Sequence, residues 1–123
     1  MKTIAFKKAH SEDIGFHAKY CDTFFRKLIG LMFSKELPLD EGIILVEQTE
    51  SRLNTSIHML FMNYDITVLW LDKNMNIVDK ALAKRWRPMY VPKKPAKYVI
   101  ELNQACFSKF SIGDQLIFSD FSQ

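Results

Sequence analysis

Ile57-His58-Met59 places a histidine between an aliphatic and a thioether side chain, and it is the first group in this 123-residue sequence whose type could do chemistry. An imidazole serves as a general base or as a metal ligand near neutral pH. Read as a strand, Ser56–Met62 turns Ser56, His58, Leu60 and Met62 to one face by two-residue alternation. Ser56 and His58 then stand about 7 Å apart, too far for a dependable hydroxyl–imidazole contact, so a serine hydrolase is unsupported. As a metal ligand His58 lacks partners, because His10 and His17 are distant in sequence and no HxH or HxxxH spacing occurs. A hydrogen-bonded structural histidine is the favoured reading. Met32, Met59 and Met62 could offer thioethers to Cu(I), but core filling by flexible side chains explains them more simply. No metal site and no cofactor is expected, and no nucleophile elbow, phosphate-binding loop or dinucleotide fingerprint is present.

Two further groups carry charge with purpose. Arg26 could clamp an acidic ligand bidentately or pair inside the domain with Glu101 or Asp114, and the internal pair is the preferred reading. Between Lys80 and Lys97 stand Lys80, Lys84, Arg85, Arg87, Lys93, Lys94 and Lys97 with no acidic residue among them, interleaved with Trp86 and Tyr90 and followed by Tyr98. Basic side chains mixed with aromatics suit a single-stranded nucleic acid or another polyanion. The net charge of only +3 and the lack of a nucleic-acid motif favour a solvated loop braced by Pro88, Pro92 and Pro95. The candidate ligand site is therefore Arg26, His58, Met62, Trp86 and Arg87, and the alternative polyanion surface is Lys84, Arg85, Arg87, Lys93, Lys94 and Lys97.

These side chains must be positioned by elements that the hydrophobic pattern outlines. Thr3–Lys7 alternates through Ile4 and Phe6 as a first strand. From Tyr20 to Leu31 the residues Tyr20, Cys21, Phe24, Phe25, Leu28 and Leu31 recur at three- and four-residue spacing, which predicts a short amphipathic helix ending at Gly30. Its Phe24, Phe25, Leu28 and Leu31 side should pack on the sheet. Gly42–Val46 reads as a central strand covered on both faces. Ser56–Met62 and Ile66–Asp72 are expected to pair as a hairpin across Asn63-Tyr64-Asp65, and the turn Asp72–Asn76 leads into Ile77–Leu82 as another. Tyr98–Leu102 and Gln115–Ser119 complete the strands, the latter after a tight Gly113-Asp114 turn.

Several short strands on hairpin-sized connections predict a mainly β chain, α+β by content. It should form a compact antiparallel β-sandwich or partly open barrel with one short helix near residues 20–30, as a single domain over 1–123. A parallel α/β fold lacks its crossover helices. The chain is 48% hydrophobic with ten Phe, which suits a β-rich core. No apolar run approaches the roughly 20 residues of a membrane span, and the Met1–Lys8 stretch lacks the apolar core of an export signal. A cytoplasmic location without membrane insertion is expected.

In combination the blocks look familiar. Arg26 with Gly30-Leu31-Met32-Phe33, Ile57–Met62, Leu69-Trp70-Leu71-Asp72, Trp86-Arg87-Pro88, Tyr98–Leu102 and Ile112-Gly113-Asp114 resemble, in order and spacing, the domain of unknown function 192 family. The resemblance covers nearly the whole chain and implies a jelly-roll-like β fold with a short helix, without an agreed activity. Where that family commonly has a proline and, two places on, an acidic residue, this chain has Asp65 and Thr67; where it commonly has a glycine after Glu101-Leu102, this chain runs Asn103-Gln104-Ala105. The expected function is a non-enzymatic module binding a small molecule or a protein. The alternatives are an enzyme of unknown reaction around His58 and a polyanion binder, nucleic acid being disfavoured.

Cys21 and Cys106 lack a CxxC spacing and are read as independent thiols. Thiol titration under denaturing, non-reducing conditions should find both free; an intramolecular disulfide would contradict the reading.

Overall fold

A computed structural model describes residues 2–11, 15–21, 36–59 and 62–120. Seven strands follow in chain order: β1 (Lys2–Lys8), β2 (Phe16–Cys21), β3 (Glu41–Ser51), β4 (Ile66–Leu71), β5 (Ile77–Ala83), β6 (Ala96–Asn103) and β7 (Leu116–Asp120), with a 3-10 helix at Gln104–Lys109 between the last two. They form one sheet in the order β5-β4-β6-β3-β2-β1-β7. The sheet curls until its two ends touch at one rim. There Asn76 bridges Gln115, the Ile77 amide donates to the Asp114 carbonyl at 2.8 Å, and the Leu116 amide donates to the Met75 carbonyl at 3.0 Å. The result is a half-barrel, the partly open barrel of the two expected architectures.

Alternation explains why the sheet has two cores. On the inner face Phe6, Ile44, Leu69, Ile100 and Leu102 meet Cys106, Phe110 and Leu116. Phe6 stacks on Phe16 at 5.2 Å, and Phe118 stands edge-on to Tyr98 at 5.8 Å, so much of the phenylalanine content fills the barrel interior. On the outer face Ile43, Val68, Trp70 and Val99 are covered by Ile57, Met59, Met62 and Tyr64 from the 55–64 segment. β4 consequently has no solvent face, and all six of its residues are buried.

Three features differ from the sequence expectation. Ser56–Met62 is not a strand paired with Ile66–Asp72, because both edges of β4 are already hydrogen-bonded, to β5 on one side and β6 on the other. Among the described residues of that segment only Ile57 makes a bridge, and its partner is Tyr90. Phe16–Cys21, assigned no strand from sequence, is β2; Phe16, Ala18 and Tyr20 turn to the inner face while His17 and Lys19 are exposed. Tyr20 and Cys21 thus end a strand, and the rest of the expected helix, with Arg26, lies outside the described residues. The sheet is also not wholly antiparallel, since β2 and β3 run parallel, joined by the long connection that a parallel pair requires.

Gly42 shows how tightly β3 and β6 approach. A Cβ at this position would lie 2.5 Å from Leu102 Cδ2 and 2.7 Å from the Glu101 carbonyl oxygen. Gly42→Ala is expected to destabilise the fold by about 1–3 kcal/mol through overpacking, measured as a lower urea midpoint at unchanged m-value.

Candidate functional site

The outer core is roofed by two loops that hold each other through backbone hydrogen bonds. The Ile57 and Tyr90 amides exchange bonds with each other's carbonyls at 2.9 and 2.7 Å; the Met59 amide donates to the Arg87 carbonyl at 2.9 Å, and the Trp86 amide to the Met59 carbonyl at 2.8 Å. Side chains brace the ends. Arg52 Nε donates to the Pro92 carbonyl at 2.9 Å, and the Lys84 amide donates to the Tyr90 hydroxyl at 2.7 Å. The Trp70 indole donates to the Thr55 carbonyl at 2.7 Å, pinning the first loop to the sheet. Asp79 Oδ2 accepts the Lys93 amide at 2.9 Å and pins the second.

Because Ile57 and Met59 point into the core, His58 between them is exposed. Leu53, Trp86, Met89 and Val91 on the same two loops are 75%, 52%, 57% and 43% exposed, four of the seven large apolar side chains exposed among the described residues. Trp86 has a backbone φ of 67°, a left-handed conformation that costs a side-chain-bearing residue on the order of 1–3 kcal/mol. The 84–86 turn is held in part by Asp65, whose Oδ1 accepts the Arg85 amide at 2.9 Å and whose Oδ2 lies 3.5 Å from Lys84 Nζ. That amide bond keeps the Asp65 carboxyl below its ordinary range; burial opposes it, and the Lys84 and Arg85 charges add smaller lowering contributions.

Of the expected ligand site, His58, Trp86 and Arg87 are exposed on this pair of loops, Met62 is buried beneath them, and Arg26 lies outside the described residues. Ser56 Oγ bonds the Arg52 carbonyl at 3.2 Å, and among the described residues no carboxylate is hydrogen-bonded to His58. Of the polyanion set, Arg85, Arg87, Lys93 and Lys94 are exposed, Lys84 lies beside Asp65, and Lys97 Nζ is turned to the Gln48 carbonyl on β3 at 3.0 Å.

Glu101, expected only as a partner for Arg26, is itself the most unusual group. It lies in β6 between Ile43 of β3 and Val68 of β4, on the outer face, and is 7% exposed. Burial pushes its carboxyl up to about 7. The sequence signal was present: an acidic residue inside the apolar run Tyr98–Leu102, two residues from Val99 and therefore on its buried face. Thr67, where the family resemblance implied an acidic residue, is fully buried and donates to the Gln104 carbonyl at 3.2 Å.

Comparisons agree with this architecture. The family model DUF192, described as Uncharacterized ACR, matches residues 5–118. UPF0127 protein TK1120 of Thermococcus kodakarensis is 46% identical over 83 residues, covering 68% of this chain and 51% of that protein. UPF0127 protein PF1050 of Pyrococcus furiosus is 37% identical over 107 residues, covering 85% and 89%. The chain spans about half the length of the Thermococcus kodakarensis and Thermococcus gammatolerans relatives it matches. A Sinorhizobium meliloti structure described as "a putative transcription regulator" superposes with a TM-score of 0.81 at 16% identity, covering 95% of this chain and 92% of that one. A Novosphingobium aromaticivorans protein of unknown function gives 0.74 at 16% identity, covering 94% and 83%. At that identity the two structures share the fold. Among the described residues no helix is long and apolar enough to cross a membrane.

Glu101 makes stability depend on pH in a stated direction. Between the ordinary value of 4.5 and about 7 the folded chain holds a proton that the unfolded chain has released. Its contribution is therefore fully present below that window, is lost as pH rises through it, and is constant above it, about 3 kcal/mol in all. Glu101→Gln should remove this slope and be more stable than the parent at pH 8, as measured by urea unfolding at pH 5 and pH 8.

Proposed function

Because the chain belongs to the uncharacterised DUF192 family, we propose that it works as a non-enzymatic interaction module that docks an acidic protein segment on the paired loops 52–59 and 84–93. The observation that carries the reading is the fixed outward display of Leu53, Trp86, Met89 and Val91 on loops whose backbones are hydrogen-bonded to each other. Tryptophan, methionine and arginine are the residue types that interfaces favour, and a pre-ordered display avoids much of the entropy cost of binding. Arg52, Arg85, Arg87, Lys93 and Lys94 are exposed around these side chains, while Asp65 and Asp79 are engaged with the loop backbone. The partner that complements this surface is an acidic segment with one or two aromatic or aliphatic anchors. A polyanion would find a smaller cation set, since Lys84 is shared with Asp65 and Lys97 with the β3 backbone.

Selection from a random peptide library on the immobilised chain should yield acidic peptides with apolar anchors, whose affinity weakens as salt is raised. Trp86→Gly accepts the left-handed backbone, so it should keep the fold while weakening those peptides tenfold or more; Arg87→Ser should act in the same direction. Peptides that bind Trp86→Gly as well as the parent, or a preference for single-stranded RNA over every peptide, would overturn the proposal.

A further inference from the structure

We propose that Glu101 anchors a second site, on the outer face where β6 runs between β3 and β4, for the ammonium or guanidinium group of an organic cation. The side chain is more than nine-tenths buried, and its cross-strand neighbours on that face, Ile43 and Val68, offer no hydrogen bond. The next polar side chain on that face of β6 is engaged elsewhere. Asn103, two residues along β6, donates from Nδ2 to the Leu37 carbonyl at 2.7 Å and accepts the Ala105 amide on Oδ1 at 2.8 Å. No hydrogen bond or ion pair to the Glu101 carboxyl is made by any described residue. The charged groups on the same face of the neighbouring strands are Glu41 and Glu47 of β3, Asp79 of β5, and His17 and Lys19 of β2; Lys19 is the register partner of Ile43, which puts it two strand spacings, about 10 Å, from Glu101.

A carboxyl kept in such a place costs stability when ionised, where Val or Leu would add it. A buried acid with no partner among the described residues marks a binding position. The class of ligand follows from the surroundings. In an apolar setting the ionised carboxylate attracts a positive charge far more strongly than it does in water, and an anion there would be repelled. A hard metal ion would need several oxygen ligands, and among the described residues no group of three metal-ligating side chains occurs. An ammonium or guanidinium group supplies N–H donors for both carboxyl oxygens.

The test follows the Glu101 carboxyl by carbon NMR in the full chain while n-butylammonium or methylguanidinium chloride is added, with n-butanol as the neutral control. A saturable change at Glu101 with either cation, accompanied by a fall of its midpoint by one pH unit or more, is expected; n-butanol should produce none, and Glu101→Gln should abolish binding while remaining folded. A stronger response to a capped lysine peptide than to n-butylammonium would assign the cation to a protein side chain, the reverse to a free amine, and both support the site. No saturable response to either cation at tens of millimolar would overturn it. So would a Glu101 that titrates at its ordinary value in the parent and rises only in Arg26→Gln, because the chain's own guanidinium would then hold the carboxylate. The loop surface proposed above does not include Glu101, so failure here leaves that reading standing.

Discussion

The indole of Trp70 is buried on the outer face of β4, and its single N–H is donated to the Thr55 carbonyl. A buried indole that lost this acceptor would carry an unsatisfied donor, so ring and loop are fixed together. Thr55 is itself buried, with its hydroxyl turned back to the Ser51 carbonyl, so the loop leaves β3 and lies down over the sheet instead of projecting from it. From there Ile57 reaches Tyr90 and Met59 reaches Trp86 and Arg87. The exposed apolar display and the cover of the outer core are two sides of this one arrangement: what points in seals β4, and what points out is exposed.

Much of this was legible in the sequence, and the parts that were not have identifiable physical causes. Strands β1, β3, β4, β5, β6 and β7 announce themselves through alternation or apolar runs, and the turns through Asp72 and Gly113. Asp72 Oδ1 accepts the Asn74 and Asn76 amides, and Gly113 has a φ of 99° that other residues rarely adopt. Phe16–Cys21 escaped because the small Ala18 carries little apolar signal, and because Tyr20 and Cys21 also fit a three- and four-residue spacing with the residues that follow. Ser56–Met62 has the look of a strand, yet strand pairing is a competition for edges. With β5 and β6 on either side of β4 no edge remained, a non-local outcome that local pattern does not encode.

The candidate site shows the same division. His58, Trp86 and Arg87 were singled out by residue type, and they do share one pair of loops. Their neighbours Met89, Val91 and Leu53 were not singled out, because exposure of an apolar residue is a property of the fold. Glu101 is the reverse case. Its burial follows from two-residue alternation with Val99, but the lack of a counter-charge on β3 and β4 emerges only once their register sets Ile43 and Val68 beside it. The buried acid, once ionised, weakens the sheet that contains it.

The pairing of β1 with β7 sets when this fold can be completed. Ile4 lies opposite Asp120 and Phe6 opposite Phe118, so the first strand waits for the last before its second edge is filled. During synthesis β1 and β2 can associate early through Lys2–Tyr20, but the interior around Phe6 stays open until Leu116 and Phe118 have been made. Such long-range closure slows folding relative to a chain of local hairpins, and it leaves a nascent chain with an aromatic surface uncovered for most of its translation. Truncations that remove β7 would leave Phe6 and Tyr98 without the Phe118 ring and a sheet edge open to other chains.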